Sequence, residues 1–231
     1  MRTEPRPRLT PPGLPVVPRL TLLDEHGGVT HEFPLERAET LIGRGAADVS
    51  FDEDQSVARE HAIVSRDPAG IRIRDLTPSG RGFTWIFARD VHVLEDGELI
   101  LLGSQVIRFR RLTPHDILAT GPAEQAGSRV PPADVAVLEQ MLANGRTRDI
   151  CYVPEGRAIL IGREHGNWVF PYDPTMSARH AEVRSRPESG DVVIRDVGSR
   201  NGVGIALRAE QALSDGDRLL LGKQVLRVDL Q

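Results

Sequence analysis

The sequence predicts an all-β protein made of two Greek-key-like β-sandwiches, about eleven strands each, joined by a linker. Three observations predict this: the chain repeats its landmarks once, each repeat is dense in short strand patterns, and turn residues recur every eight to twelve positions. Gly43-Arg44 falls on Gly162-Arg163, and His61-Ala62 falls on His180-Ala181, at one offset of 119 residues. The Gly-to-His distance is 18 in both repeats, and Gly97 to Gly103 matches Gly216 to Gly222 at 6 residues. Asp75 and Gly82 have their counterparts in Asp196 and Gly202, with slips of at most two residues. So many landmarks in one order define a duplicated domain.

Taken in chain order, residues 1–18 hold six prolines and several arginines without periodicity and read as a disordered tail. The first repeat, 19–112, opens with Leu20 to Leu23, a Glu-His-Gly-Gly turn and a second run from Thr30 to Leu35. Residues 113–134, rich in Gly, Pro and Ala, read as the linker. The second repeat, 135–231, opens with Val137 to Leu142, an Asn144-Gly145 turn and Thr147 to Val153, the pattern of a hairpin. Ile71 to Arg74 and Val192 to Arg195 alternate in the strand period, with apolar residues on one face and arginines on the other. Phe83 to Phe87 reads as a strand with its core face, and the Leu-Gly pairs near Gly103 and Gly222 sit between paired closing strands.

Composition narrows the function classes. A net charge of −4 gives no basis for non-specific binding to nucleic acid or to an anionic membrane. Cys151 is the only cysteine, which excludes an intrachain disulfide and a cysteine zinc site. The Pro-rich start is neither a secretory signal nor a membrane span, so the chain is expected to be soluble and cytoplasmic, without membrane insertion. No metal-ligand spacing, phosphate-binding loop, nucleophile elbow or kinase signature is present, and neither an enzyme nor a cofactor is expected.

Leu160-Ile-Gly-Arg163, Ser177-Ala-Arg-His-Ala181, Asp196 to Gly202 and Leu213 to Gly222, in that order, resemble the forkhead-associated (FHA) domain. The first repeat matches the same frame more loosely. The resemblance implies a sandwich whose loops at one end grip a phosphothreonine peptide. Such a peptide brings a nearly dianionic group with three acceptor oxygens, so its site needs convergent charge-assisted donors. In the second repeat Arg163, Ser177 and Arg200 match donors to the phosphate, and Asn201 matches the residue that holds the peptide main chain. The residue after Ser177, often basic or Asn in the family, is Ala178, and Arg179 one place on is the candidate substitute. Gly162, His180 and Gly202 are expected to support the loops.

The first repeat keeps Arg44, Arg59 and His61, but Ala58 replaces the family's Ser and Arg81 its Asn. Two readings stand: a degenerate domain kept for packing or protein contacts, and an altered anion site made from Arg44, Arg59 and Arg81. The function implied is a phosphothreonine-dependent adaptor whose partner is a Ser/Thr kinase or its substrate. The alternative is a phosphate-independent scaffold using both sandwiches as surfaces. Thr3 and Thr10, in the tail, are sites at which phosphorylation would allow the chain to bind itself.

Overall fold

In a computed structural model, residues 17–77, 82–113, 116 and 134–231 are described. The proposed tail, except Val17 and Pro18, and nearly all of the linker lie outside them, as do Thr3, Thr10 and Arg81. Twenty strands are present among the described residues. The first repeat contributes β1 (Arg19–Leu23), β2 (Val29–Pro34), β3 (Glu39–Gly43), β4 (Val49–Ser50), β5 (Glu60–Asp67), β6 (Gly70–Asp75), β7 (Thr84–Phe87), β8 (Val91–Val93), β9 (Leu99–Leu102) and β10 (Gln105–Arg111). The second contributes β11 (Asp134–Met141), β12 (Thr147–Pro154), β13 (Ala158–Gly162), β14 (Trp168–Val169), β15 (Ala181–Arg186), β16 (Asp191–Asp196), β17 (Val203–Ala206), β18 (Gln211–Leu213), β19 (Arg218–Leu221) and β20 (Gln224–Asp229). No described helix is long and apolar enough to cross a membrane.

The local expectations hold. The runs at Leu20 and Thr30 are β1 and β2, and Gly145 turns between β11 and β12 with φ +79°. Ile71 and Ile73 are buried while Arg72 and Arg74 are exposed. Trp85 lies in β7 and is only 6% exposed, so it belongs to the packing. In β16 the alternation fails: Val192, Val193 and Ile194 are all buried, and Val193 pairs with Val93 of the first repeat.

That pairing shows where the spatial units depart from the sequence repeats at 19–112 and 135–231. The strand order of the large sheet is β12-β11-β10-β9-β17-β7-β19-β20-β1-β2, and the two smaller sheets are β14-β13-β15-β16-β8 and β18-β6-β5-β3-β4. Each repeat therefore gives its last three strands to the other. One sandwich, here called A, is β1–β7 with β18–β20; the other, B, is β11–β17 with β8–β10. Each has ten of the described strands. The stretch near 113–134 joins β10 to β11, which are antiparallel neighbours within sandwich B. It is thus an internal connection of one sandwich, and β11 itself starts at Asp134.

The cores confirm the exchange. One cluster combines Leu20, Ile42, Val64 and Ile73 with Leu219, Leu221, Leu226 and Val228. The other combines Ile100, Leu102, Ile107 and Phe109 with Leu138, Ile161, Val183 and Ile194. Full burial of an aliphatic side chain contributes roughly 2 kcal/mol, so the four residues from β19 and β20 supply about 8 kcal/mol to sandwich A. That is of the order of a domain's whole net stability. The halves meet where β7 pairs with β17, Ile86 opposite Ile205, and these two residues are equivalent in the repeat. Ala88 N–H donates to Val203 C=O (2.9 Å) and Leu207 N–H to Thr84 C=O (2.9 Å), the same bond in both directions.

Two carboxylates clasp the exchanged turns. Asp173, 1% exposed, accepts Ser104 N–H (2.9 Å), Ser104 Oγ–H (2.8 Å) and Gln105 Nε2–H (2.7 Å). Its equivalent Asp54 accepts Lys223 N–H (2.7 Å) and Gln224 Nε2–H (2.8 Å). Burial works against ionisation of Asp54, but donors from Ser56, Gln224 and Lys223 outweigh it and bring its pKa down to about 2. Burial likewise opposes ionisation of Asp173, and its donors hold it well below the usual carboxylate range.

Candidate functional site

The loop end of sandwich B is assembled outward from β13. The chain leaves that strand at Gly162, where an added Cβ would sit 2.3 Å from the Ala178 carbonyl oxygen. Only glycine lets the two loops touch here. Arg163 N–H then donates to Ser177 C=O (2.8 Å), and His165 N–H to Ala178 C=O (3.0 Å), locking the loop after β13 onto residues 177–178.

His180, fully buried, ties this pair to the third loop. Its Nδ1 accepts Ser177 N–H (3.1 Å), so Nε2 carries the proton and donates to Gly202 C=O (2.9 Å). The other tautomer would place a proton against the Ser177 amide. Asp196, ending β16, accepts Gly198 N–H (2.7 Å), Ser199 N–H (2.6 Å) and Ser199 Oγ–H (2.6 Å), which folds the loop back. Gly202 has φ +80°, and a Cβ there would lie 2.9 Å from the Phe87 ring of the first repeat.

Four of the sequence candidates converge as a result. Arg163, Ser177, Arg200 and Asn201 line one open groove of about 1310 Å³. Ser177 Oγ accepts the Arg200 N–H (2.9 Å), and its own hydroxyl hydrogen has no acceptor among the described residues. Asn201 Nδ2–H donates to Thr175 C=O (2.8 Å), which leaves Oδ1 turned to other donors. Arg163 pairs with its neighbour Glu164 (Nη2 to Oε1, 2.7 Å) at the surface, an ion pair of little net energy that a dianion can replace. The groove thus offers two guanidiniums, a hydroxyl donor and an amide acceptor around one opening. Gly162 and Gly202 sit where these loops approach their neighbours, and His180 bridges residues 177 and 202. Arg179 does not join: it is exposed and outside the groove lining, because adjacent loop residues project in different directions.

Sandwich A differs at the same end. Ala58 N–H donates to His61 Nδ1 (3.0 Å), as Ser177 does to His180, but Ala58 has no hydroxyl to present. Burial pushes His61 below the usual histidine range, with the Asp75 carboxylate opposing. Arg44 and Arg59 do line a common pocket, but so do Asp52 and Glu60, which balance their charge. Arg44 Nη1–H is also engaged by Gln55 Oε1 (2.8 Å).

Sequence reasoning missed the residues beneath and beside the groove in sandwich B. Asp173 accepts Thr175 N–H (2.9 Å) and Thr175 Oγ1–H (2.6 Å), and Thr175 in turn holds Asn201. Ser104, from the first repeat, lines the same groove, as do Arg218, Lys223 and Arg227 from the strands lent to sandwich A. The one available signal was that Asp54 and Asp173 occupy the same position in both repeats.

Fold and site together define a binding module: paired sandwiches with one polar groove flanked by guanidiniums at a loop end. The chain belongs to the FHA domain family, whose model matches residues 40–103 and 159–222, more than half of its length. Each matched segment runs through both sandwiches. The oxoglutarate dehydrogenase inhibitor of Corynebacterium diphtheriae is 36% identical over 106 residues, covering 45% of this chain and 71% of that protein. Among solved structures, the FHA domain of the CT664 protein from Chlamydia trachomatis is similar at 23% identity, over 36% of this chain and 86% of that one, with a TM-score of 0.24. The FhaA FHA domain complexed with the intracellular domain of Rv3910 is similar at 27% identity, over 40% and 97% respectively, with a TM-score of 0.22. FHA domains are phosphothreonine-binding modules of signalling proteins.

Proposed function

We propose that this chain is a phosphothreonine-dependent adaptor in which sandwich B reads the peptide and sandwich A is structural. The observation that carries the reading is the convergence of Arg163, Ser177, Arg200 and Asn201 on one groove. Ser177 already spends an acceptor on the Arg200 amide, which aims its hydroxyl hydrogen outward at a phosphate oxygen. Arg163 and Arg200 supply the countercharge, and Asn201 Oδ1 accepts a main-chain N–H of the peptide. The partner class is a protein phosphorylated by a Ser/Thr kinase, or the kinase itself. No catalytic role is assigned.

In sandwich A the missing hydroxyl and the balanced charges of Arg44, Arg59, Asp52 and Glu60 favour support over phosphate binding. The test is fluorescence anisotropy with one labelled peptide in phosphorylated and plain form. Only the phosphorylated form should bind. Ser177→Ala removes a charge-assisted hydrogen bond of about 1.5–3 kcal/mol, so affinity should fall about 10- to 100-fold. Equal binding of both forms, or wild-type affinity in Ser177→Ala, would leave the scaffold reading in its place.

A further inference from the structure

The groove does not stop at the phosphate end. It continues over the outer face of the large sheet, across Phe87, Leu101 and Leu220, to the turn between β19 and β20. Three cations line this extension: Arg218, Lys223 and Arg227. Arg218 and Arg227 stand directly opposite each other on β19 and β20. Like charges in that relation destabilise a sheet unless something offsets them. Asp229 takes Arg227 (Nε to Oδ1, 2.7 Å), and Arg218 lies 5.0 Å over the Phe87 ring. Arg218 and Lys223 have no carboxylate partner among the described residues, and both are exposed. Lys223 is the only lysine of the chain. At the far wall the β1–β2 turn puts Asp24 and Glu25. Asp24 is turned inward onto the amides of His26 (2.8 Å) and Gly28 (2.7 Å).

With Arg163 and Arg200 the lining carries five cations against two carboxylates, on a chain whose net charge is −4. We infer that this extension selects phosphothreonine peptides whose flanking residues are acidic, with Arg218 and Lys223 as the selecting residues. The inference rests on the phosphothreonine reading of the groove. It gives the strands lent to sandwich A a second task, at the site of sandwich B. The apolar floor of Phe87, Leu101 and Leu220 suits a peptide laid along the sheet. Exposed cations act on such a ligand at the level of rim charges, so each contributes modestly and is screened by salt.

The experiment uses the full chain and three labelled phosphothreonine peptides of one length, with Asp/Glu, Ser/Gly or Lys flanks, read by anisotropy at low ionic strength. Affinity should rank acidic, neutral, basic, with a spread of about tenfold between the extremes. The double change Arg218→Gln with Lys223→Gln should reduce that spread to about twofold or less, and added salt should shrink it in the wild type. Equal affinities across the three flanks, or a spread unchanged in the double variant, would overturn the inference while leaving phosphothreonine reading intact. If no phosphorylated peptide binds, or if Ser177→Ala binds like the wild type, the underlying reading falls and takes this one with it. A plain peptide with acidic flanks that binds as well as its phosphorylated form would also overturn it.

Discussion

The strand exchange can be tested by asking which glutamine each buried aspartate holds. In the exchanged fold Asp173 accepts from Gln105 (2.7 Å) and Asp54 from Gln224 (2.8 Å). If each repeat closed on itself, equivalence at the offset of 119 would reverse the partners: Asp54 with Gln105, Asp173 with Gln224. Double-mutant cycles separate the two cases. A hydrogen bond to a charged acceptor contributes about 1.5–3 kcal/mol, part of which reappears when the other donors relax, so a coupling of about 1–2 kcal/mol is expected between true partners. Asp173→Ala alone should cost about 3 kcal/mol, because the Ser104 and Thr175 amides lose their acceptor in a site only 1% exposed. Urea unfolding of the single and double variants gives each term by linear extrapolation. If Asp173→Ala is too unstable, Asp173→Asn serves in the same cycle. Coupling of Asp173 with Gln224, and additivity with Gln105, would refute the exchange.

Two further predictions concern the same framework. Asp54 has its pKa lowered from 3.8 to about 2 in the folded protein, and Asp173 is lowered too, so the stability each confers is complete above about pH 4 and is lost as pH falls toward 2. For Asp54, 6% exposed, this is about 2 kcal/mol; Asp54→Asn should flatten the acid limb of urea midpoints against pH, and a limb unchanged in slope would contradict the assignment. Gly162→Ala should destabilise by about 3 kcal/mol and weaken phosphopeptide binding, since its Cβ would meet backbone oxygen at 2.3 Å. Thermal melts with wild-type midpoint would show that the two loops can separate freely.

Strands and turns were legible because their signals are local. Ile71 and Ile73 alternate with arginines whatever they pair with, and Asn144-Gly145 turns by itself. The partner of each closing strand was not legible, and the reason lies in the repeat. Gly97 to Gly103 and Gly216 to Gly222 carry the same landmarks, so Asp54 or Asp173 can clasp either turn with the same chemistry. The sequence offers two pairings of equal local quality, and only the path of the chain between strands distinguishes them. The same degeneracy explains β16, whose Val193 is buried by β8 from the other repeat. That Arg163, Ser177, Arg200 and Asn201 come together on one groove was legible from spacing, because the motif fixes which loops meet. That Arg179 lies outside the groove lining was not legible, because spacing does not fix where a loop side chain points. Ser104 was not legible because it reaches the groove from the first repeat, whose closing strands belong to sandwich B.

The exchange changes what the altered motif of the first repeat implies. Ala58 in place of a serine affects only the loop end of sandwich A. Gly103, Ser104 and Gln105, in the same repeat, lie under the groove of sandwich B. Gly103 packs where a Cβ would come within 2.8 Å of the Met176 amide, and Ser104 and Gln105 fix Asp173, through which Thr175 and Asn201 are set. The first repeat therefore divides by position. Residues 58–61 of its loop end contribute nothing to the groove lining, whereas Asp54 anchors the Lys223 turn at one end of the groove and the turn at 103–105 lies beneath the other. In the second repeat Lys223 serves both ends: its amide braces Asp54 in the loop of sandwich A that has no serine, and its side chain lines the groove of sandwich B. The candidate groove thus draws on both repeats, and removing the one with the altered motif would take the floor from the other.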